Sequence, residues 1–292
     1  MRVWVIRPGA FVIGPLDGVG RRVSLNPQNV VMRSHALHGF SQTDPRLYDR
    51  RVFDTALAAG AAALAAAFCA SAWERYLLKK RPHEAAWAAS FALYAIASLF
   101  LAIGIAGGWN GFVFRGFYAA GAVATVPILA TGTIYLHLGR RIGNQVAAAT
   151  VILTAIGVGI VIATPFSHPL PTEELAQGSK VFGAGPRIFA AVGSGLGAMV
   201  VIAGSLYTAA KNKQPRVVQA NILIALGVAA NGASGLLNSL VGETRGFVVM
   251  LALGITLLFA GFLLATSRAR VSGDLPYISP SRPRTARSTD RS

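Results

Sequence analysis

Cysteine is almost missing from this chain. Cys69 is the single one in 292 residues, which excludes a disulfide framework and any cysteine-ligated metal cluster. Acidic side chains are scarce as well: 11 Asp+Glu stand against 27 Lys+Arg, for a formal charge of +16. Charged residues make up only 13% of the chain, about half the roughly 25% of soluble domains, so an ordinary water-soluble globule is excluded. What is abundant is apolar: 53% of residues are hydrophobic and the mean hydropathy is +0.53. That much apolar material excludes disorder over most of the chain. The remaining class is an all-α membrane protein with a basic polar remainder.

A helix needs about 20 apolar residues to cross a bilayer core. Seven segments meet that length: Val52–Trp73, Ala85–Ala106, Phe112–Leu138, Gln145–Thr164, Arg187–Ala209, Val217–Leu240 and Gly246–Thr266. The second, fourth, sixth and seventh contain no Asp, Glu, Lys or Arg. A charge at a helix centre costs roughly 2.5–3.5 kcal/mol on insertion scales, so charge is swept toward the loops and tails, with Asp54, Arg115 and Arg187 near segment ends. The expected fold is a seven-transmembrane-helix bundle over 52–266. It is preceded by a largely disordered tail over 1–51 and followed by a basic disordered tail over 267–292.

The loops are charged asymmetrically. Fifteen basic residues lie in the loops after the first, third and fifth segments and in the C-terminal tail, among them Arg75, Lys79, Arg140, Arg141 and Lys213. Four lie opposite: Arg115, Lys180, Arg187 and Arg245. The positive-inside rule places the richer side in the cytoplasm, so a bacterial inner-membrane protein with its N-terminus outside and C-terminus inside is expected. The N-terminal 51 residues oppose this reading, because they hold the other eight basic residues. Late insertion of the first segment, a first segment that does not span (leaving six), or a start at Met32 would each resolve the conflict. Seven is the expected number of spans. No signal-peptide pattern is present: the run Val3–Ile6 is broken by Arg7 and Pro8.

Trp73, Trp87 and Trp109 sit at segment ends, where an apolar ring with one N–H finds both phases. The Ser/Pro/Arg-rich stretch Ser267–Ser292 is expected to touch anionic lipid at about 1 kcal/mol per charge. Nucleic acid is not an expected partner, since no folded basic domain with interleaved aromatics exists. Gly193 and Gly197 form a GxxxG step, the kind of small-residue stripe that lets membrane helices approach closely. Packing within the chain is its expected use, and a dimer or partner face the alternative. Segments one to three and five to seven align at a constant offset of 133, pairing Gly60 with Gly193, Lys80 with Lys213 and Pro82 with Pro215. That is the 3+1+3 plan of parallel-repeat transporters.

Ionisable groups, the usual markers of membrane pathways, are nearly absent from the spans. Asp54 and Arg115 lie near the outer ends of the first and third segments, where an ion pair across the outer mouth is the candidate reading. Asn231, Ser234 and Asn238 share one face of the sixth segment at i, i+3, i+7. Amides in hydrocarbon seek partners on neighbouring helices, so helix–helix bonding is the plain reading and a polar ligand pocket the functional one. Tyr118, Thr125, Thr131, Thr133 and Tyr135 of the third segment are possible company. Pro127 is expected to kink that segment and free a carbonyl. The histidines form no site: His35 and His38 fall in the tail, and only His137 approaches the bundle. No cofactor and no metal is expected, and the seventh segment lacks a lysine for a retinal Schiff base. The long loop 165–186 is expected to cover the outer end, with a helical turn starting near Thr172. No nucleophile–base pair, P-loop or kinase signature occurs, so an enzyme is not expected.

Several phrases occur together: Arg81-Pro82-His83-Glu84 with Trp87, Gly108-Trp109 ahead of Arg115, Tyr118 and Gly121, then Gly132-Thr133. Asn221-Ile222-Leu223-Ile224 with Gly227 comes next, and later Phe259-Ala260-Gly261-Phe262. In this combination the chain resembles a group of uncharacterised seven-helix integral membrane proteins from bacteria with Ala- and Arg-rich proteomes, over about Arg46 to Arg270. The resemblance implies a membrane location. The functional expectation is binding or transport of a small neutral or amphipathic molecule near the third and sixth segments. A structural or accessory subunit, or a sensor without its own signalling domain, is the alternative.

Overall fold

The computed structural model describes residues 45–170, 176–240 and 244–266; the side chains at 45–48, 50, 236–240, 244–245 and 266 fall outside that description. The chain divides into two units after Arg50, and the helix bundle belongs to the second. Among the described residues every regular element is helical. They are α1 (Pro45–Lys79), α2 (Pro82–Gly107), α3 (Gly111–Phe117), a π-helical segment (Tyr118–Thr125), α4 (Val126–Ala163), α5 (Gly178–Val181), α6 (Ala184–Lys211), α7 (Pro215–Leu240) and α8 (Thr244–Thr266).

Prolines mark the helix starts, because a first-turn residue has no use for its N–H. Pro45, Pro82 and Pro215 each open a helix, and Pro186 sits in the first turn of α6. Asn110 caps α3 by accepting from the Val113 N–H at 2.9 Å. The turn after α1 is made by Lys80, the one non-glycine with positive φ (51°) among the described residues, whose N–H returns to the Tyr76 carbonyl at 2.7 Å.

Among the described residues six helical stretches are long and apolar enough to cross a membrane: 51–79, 82–107, 111–163, 184–211, 215–235 and 246–265. The third of these is 53 residues long, far more than one crossing needs. It is not straight. Gly139 has φ 79° and ψ −178°, a conformation open essentially to glycine alone. The chain folds back there into two antiparallel arms. The Thr131 and Thr150 hydroxyls lie 3.1 Å apart, and the Tyr135 hydroxyl lies 2.9 Å from the Asn144 amide oxygen. Further from the turn, Arg115 bonds the carbonyls of Val161 and Thr164. In a straight helix residues 131 and 150 would be about 28 Å apart. The loop expected between the third and fourth segments, residues 139–144, is thus a single glycine with helix resuming at once.

The outward surface is apolar. Val151, Ile152, Ile156, Ile188, Leu196 and Met199 are all half or more exposed. A surface of this kind is stable against hydrocarbon and not against water. The chain is built as a multi-pass membrane protein. Its inner packing is layered: Phe68 stacks on Phe91 with centroids 4.5 Å apart, and Phe259 and Phe262 meet Phe68 edge-on. Small residues set the spacing between helices. A methyl at Gly197 would stand 3.0 Å from the Val126 carbonyl oxygen, and one at Gly193 would stand 3.5 Å from the Pro127 ring. The GxxxG step therefore seats α6 against α4 within the chain.

The hairpin can be trapped chemically. With Cys69→Ala as background, Thr131→Cys and Thr150→Cys should form an intramolecular disulfide under mild oxidation, seen as a mobility shift reversed by reductant. Gly139→Ala, which forces a side chain into a glycine-only conformation at about 1–3 kcal/mol, should reduce both the yield of that disulfide and the thermal stability.

Candidate functional site

The third segment changes helical register at its middle. In the π-helical stretch the Thr125 hydroxyl donates to the Ala120 carbonyl, five residues back, at 2.7 Å. In that register the carbonyl of Ala122 would be served by the N–H of residue 127, which is proline and has none. The Ser194 hydroxyl from α6 donates to Ala122 O at 2.5 Å. On the other side, Ser90 of α2 donates to the Thr125 carbonyl at 2.8 Å. The carbonyl expected to be freed by Pro127 is thus real, and a neighbouring helix satisfies it.

The residues singled out from sequence do not form one pocket. Tyr118 is buried at the end away from the basic loops, its ring 5.1 Å from that of Phe182. Thr125 is engaged with Ala120. Asn231 faces Tyr94 of α2, whose hydroxyl lies 2.9 Å from the amide oxygen and 3.0 Å from the Leu251 carbonyl on α8. A phenol has one proton to give. All three groups are satisfied when the amide turns its NH₂ to the phenol oxygen and the phenol donates to Leu251. Gly254 makes room, since a methyl there would lie 2.6 Å from the Asn231 side chain. Ser234 donates to the Asn231 carbonyl at 2.7 Å. The side chain of Asn238 lies outside the described residues. The amide face is therefore, where described, a junction of α2, α7 and α8.

Arg115 does not form the expected ion pair with Asp54. Its guanidinium donates to the carbonyls of Val161 (3.2 Å) and Thr164 (3.0 Å) and lies 4.0 Å over the Phe166 ring. These are the open carbonyls at the end of α4, where a cation also meets the negative end of the helix dipole. The loop after α4 folds over the same end. Phe166 and Phe182 pack on Phe114, the Ser167 N–H donates to the Val181 carbonyl at 2.8 Å, and Ala176 is fully buried. The turn expected near Thr172 lies outside the described residues; the helical turn within them is α5.

At the opposite end, where the basic loops gather, the helices leave a cavity of about 60 Å³. Phe91, Leu129, Val201 and Leu258 form its floor together with Thr133 and Ser205, all more than nine-tenths buried. Trp87 and Phe262 make one wall, with rings 5.1 Å apart. Leu136, His137, Thr208 and Asn221 border the mouth. The hydroxyls of Thr131 and Thr208 return to carbonyls four residues back, at 3.0 and 2.9 Å. Thr133 and Ser205 make no such bond and no other among the described residues. Among the described residues no Asp, Glu, Lys or Arg lines the space. Thr133, Asn221 and His137 were visible as polar residues in the sequence, but Ser205 was not: one serine in an apolar helix carries no signal until its neighbours are known. Among the described residues no group of His, Cys, Asp and Glu could hold a metal ion.

The chain matches no family model, no curated protein and no solved structure.

The junction and the cavity respond to different substitutions. Tyr94→Phe and Asn231→Ala should each lower the stability of the purified protein by about 1 kcal/mol, and the double variant by less than the sum, as expected for one shared bond. Strict additivity in detergent unfolding would show that the two side chains act independently.

Proposed function

We propose that the chain spans the membrane seven times and binds or moves a small neutral or amphipathic molecule through the cavity at its basic-loop end. Seven crossings result from counting the two arms on either side of Gly139 separately. The basic loops then face the cytoplasm of a bacterial inner membrane, with the N-terminus outside and the C-terminus inside, and anionic lipid is the partner of that face. The observation that carries the binding role is a pair of hydroxyls, on the buried residues Thr133 and Ser205, that have no hydrogen-bond partner among the described residues and line a space bordered by no Asp, Glu, Lys or Arg among those residues. Protein interiors seldom leave such groups idle. The site lies between the second, third, fifth, sixth and seventh segments, and it uses Asn221 rather than Asn231 on the sixth. With no nucleophile–base pair in the sequence, the reading is a binding or transport protein rather than an enzyme.

Two measurements test this. Reporter domains fused after Asn110, Leu175 and Gly242 should report outside, and after Lys80, Ile142, Lys213 and Pro280 inside; an inside result at Phe40 would undo the seven-span topology. In a ligand-stabilisation screen on purified protein, a true ligand raises stability as its concentration passes its dissociation constant. Asn221→Leu should remove that gain and leave the unliganded protein folded. A ligand whose gain survives Asn221→Leu would place binding elsewhere.

A further inference from the structure

The chemistry of the cavity restricts what it accepts, if it is the binding site proposed above. A charged group entering it would find no opposite charge among the described residues, and burying an uncompensated ion is far costlier than burying a hydrogen-bonded neutral group. The two floor hydroxyls can each donate and accept. Asn221 uses its NH₂ on the Val217 carbonyl, at 2.9 Å, which leaves its amide oxygen as an acceptor at the mouth. A complementary ligand group therefore carries both a donor and an acceptor and no net charge. Size is the second limit. A space of about 60 Å³ holds roughly four or five water-sized groups, so the bound part is only a few heavy atoms. The aromatic wall of Trp87, Phe91 and Phe262 offers a flat apolar surface for the remainder.

We infer that the cavity recognises an uncharged primary amide or alcohol head of a few heavy atoms through the hydroxyls of Thr133 and Ser205, with access from the basic-loop end. Any longer apolar part of the molecule extends through the mouth beside Leu136. By contrast with these two hydroxyls, those of Ser90, Thr125, Thr131, Ser194, Thr208 and Ser234 each donate to a carbonyl of their own or a neighbouring helix.

The test uses the full chain in detergent with Cys69→Ala and a reporter at Val201→Cys, which lies on the floor and leaves both hydroxyls in place. Its conversion to the methyl disulfide by methyl methanethiosulfonate, which releases methanesulfinate, is timed with propionamide, propionate or propylammonium present. The expected result is slowing by roughly tenfold with saturating propionamide and no effect of either ion. Adding Thr133→Val should raise the propionamide concentration for half-protection by roughly tenfold, the effect of losing one hydrogen bond. Equal protection by an ion overturns the inference. So does labelling that no compound slows, which means a space holding only water or a ligand of another class and leaves the binding role itself standing. Unchanged protection in the Thr133→Val variant overturns recognition by the hydroxyls. A floor cysteine that never reacts means a closed cavity, and removes both the inference and the reading beneath it.

Discussion

Inside hydrocarbon every backbone polar group needs a partner within the protein, and the arrangement around Pro127 arises from that requirement. Proline removes a donor from the middle of the third segment, and the π-helical stretch leaves the Ala122 carbonyl facing sideways. Ser194 answers from α6, and Ser90 from α2 bonds the Thr125 carbonyl three residues on. A local defect thus becomes the point at which three helices are held together. Gly197 and Gly193 bring α6 close enough for the serine to reach, because their missing side chains leave room for Val126 and Pro127. The cavity lies beyond this junction on the same segment, its lining residues Leu129, Thr133, Leu136 and His137 spaced to share one helical face.

Much of the fold is legible in the sequence because bilayer thickness and backbone chemistry are strict. The apolar runs, the proline helix starts and the effect of Pro127 all depend on neighbours within a few residues. The turn at Gly139 shows the limit of that reach. A six-residue gap between apolar runs looks like an ordinary loop, and only the backbone angles show one glycine making the reversal.

The candidate site was less legible, for a reason visible in two pairs of residues. Asn231 and Thr133 are both polar groups in apolar helices, and the sequence does not distinguish them. What separates them is Tyr94, 137 residues away from Asn231 in the chain: the amide is satisfied by it and the Thr133 hydroxyl has no counterpart among the described residues. Likewise Asp54 and Arg115 have the right signs and depths to pair. Arg115 instead takes the nearer carbonyls at the end of its own hairpin. Long-range satisfaction of hydrogen bonds decides which polar residues are glue and which are available, and a list of residue types does not contain it.

The excess of basic over acidic residues explains how the cations are used. With so few carboxylates, most arginines and lysines have no ion partner to reach, and several of those described turn to other acceptors. Arg115 clamps the end of α4. Arg216, at the start of α7, donates to the Leu264 carbonyl near the end of α8 at 2.9 Å. Lys80 and Lys211 lie over tyrosine rings at 5.4 and 5.2 Å. Arg75 has a carboxylate, Glu84 at 3.0 Å, and yet also rests on the Phe262 ring at 4.6 Å. Open carbonyls and ring faces are found at helix ends, where the chain leaves hydrocarbon. Cations bound there stabilise the last turn through the helix dipole and remain close to water. The same shortage of carboxylates thus leaves these positive charges at the helix ends, where they close the ends of the bundle.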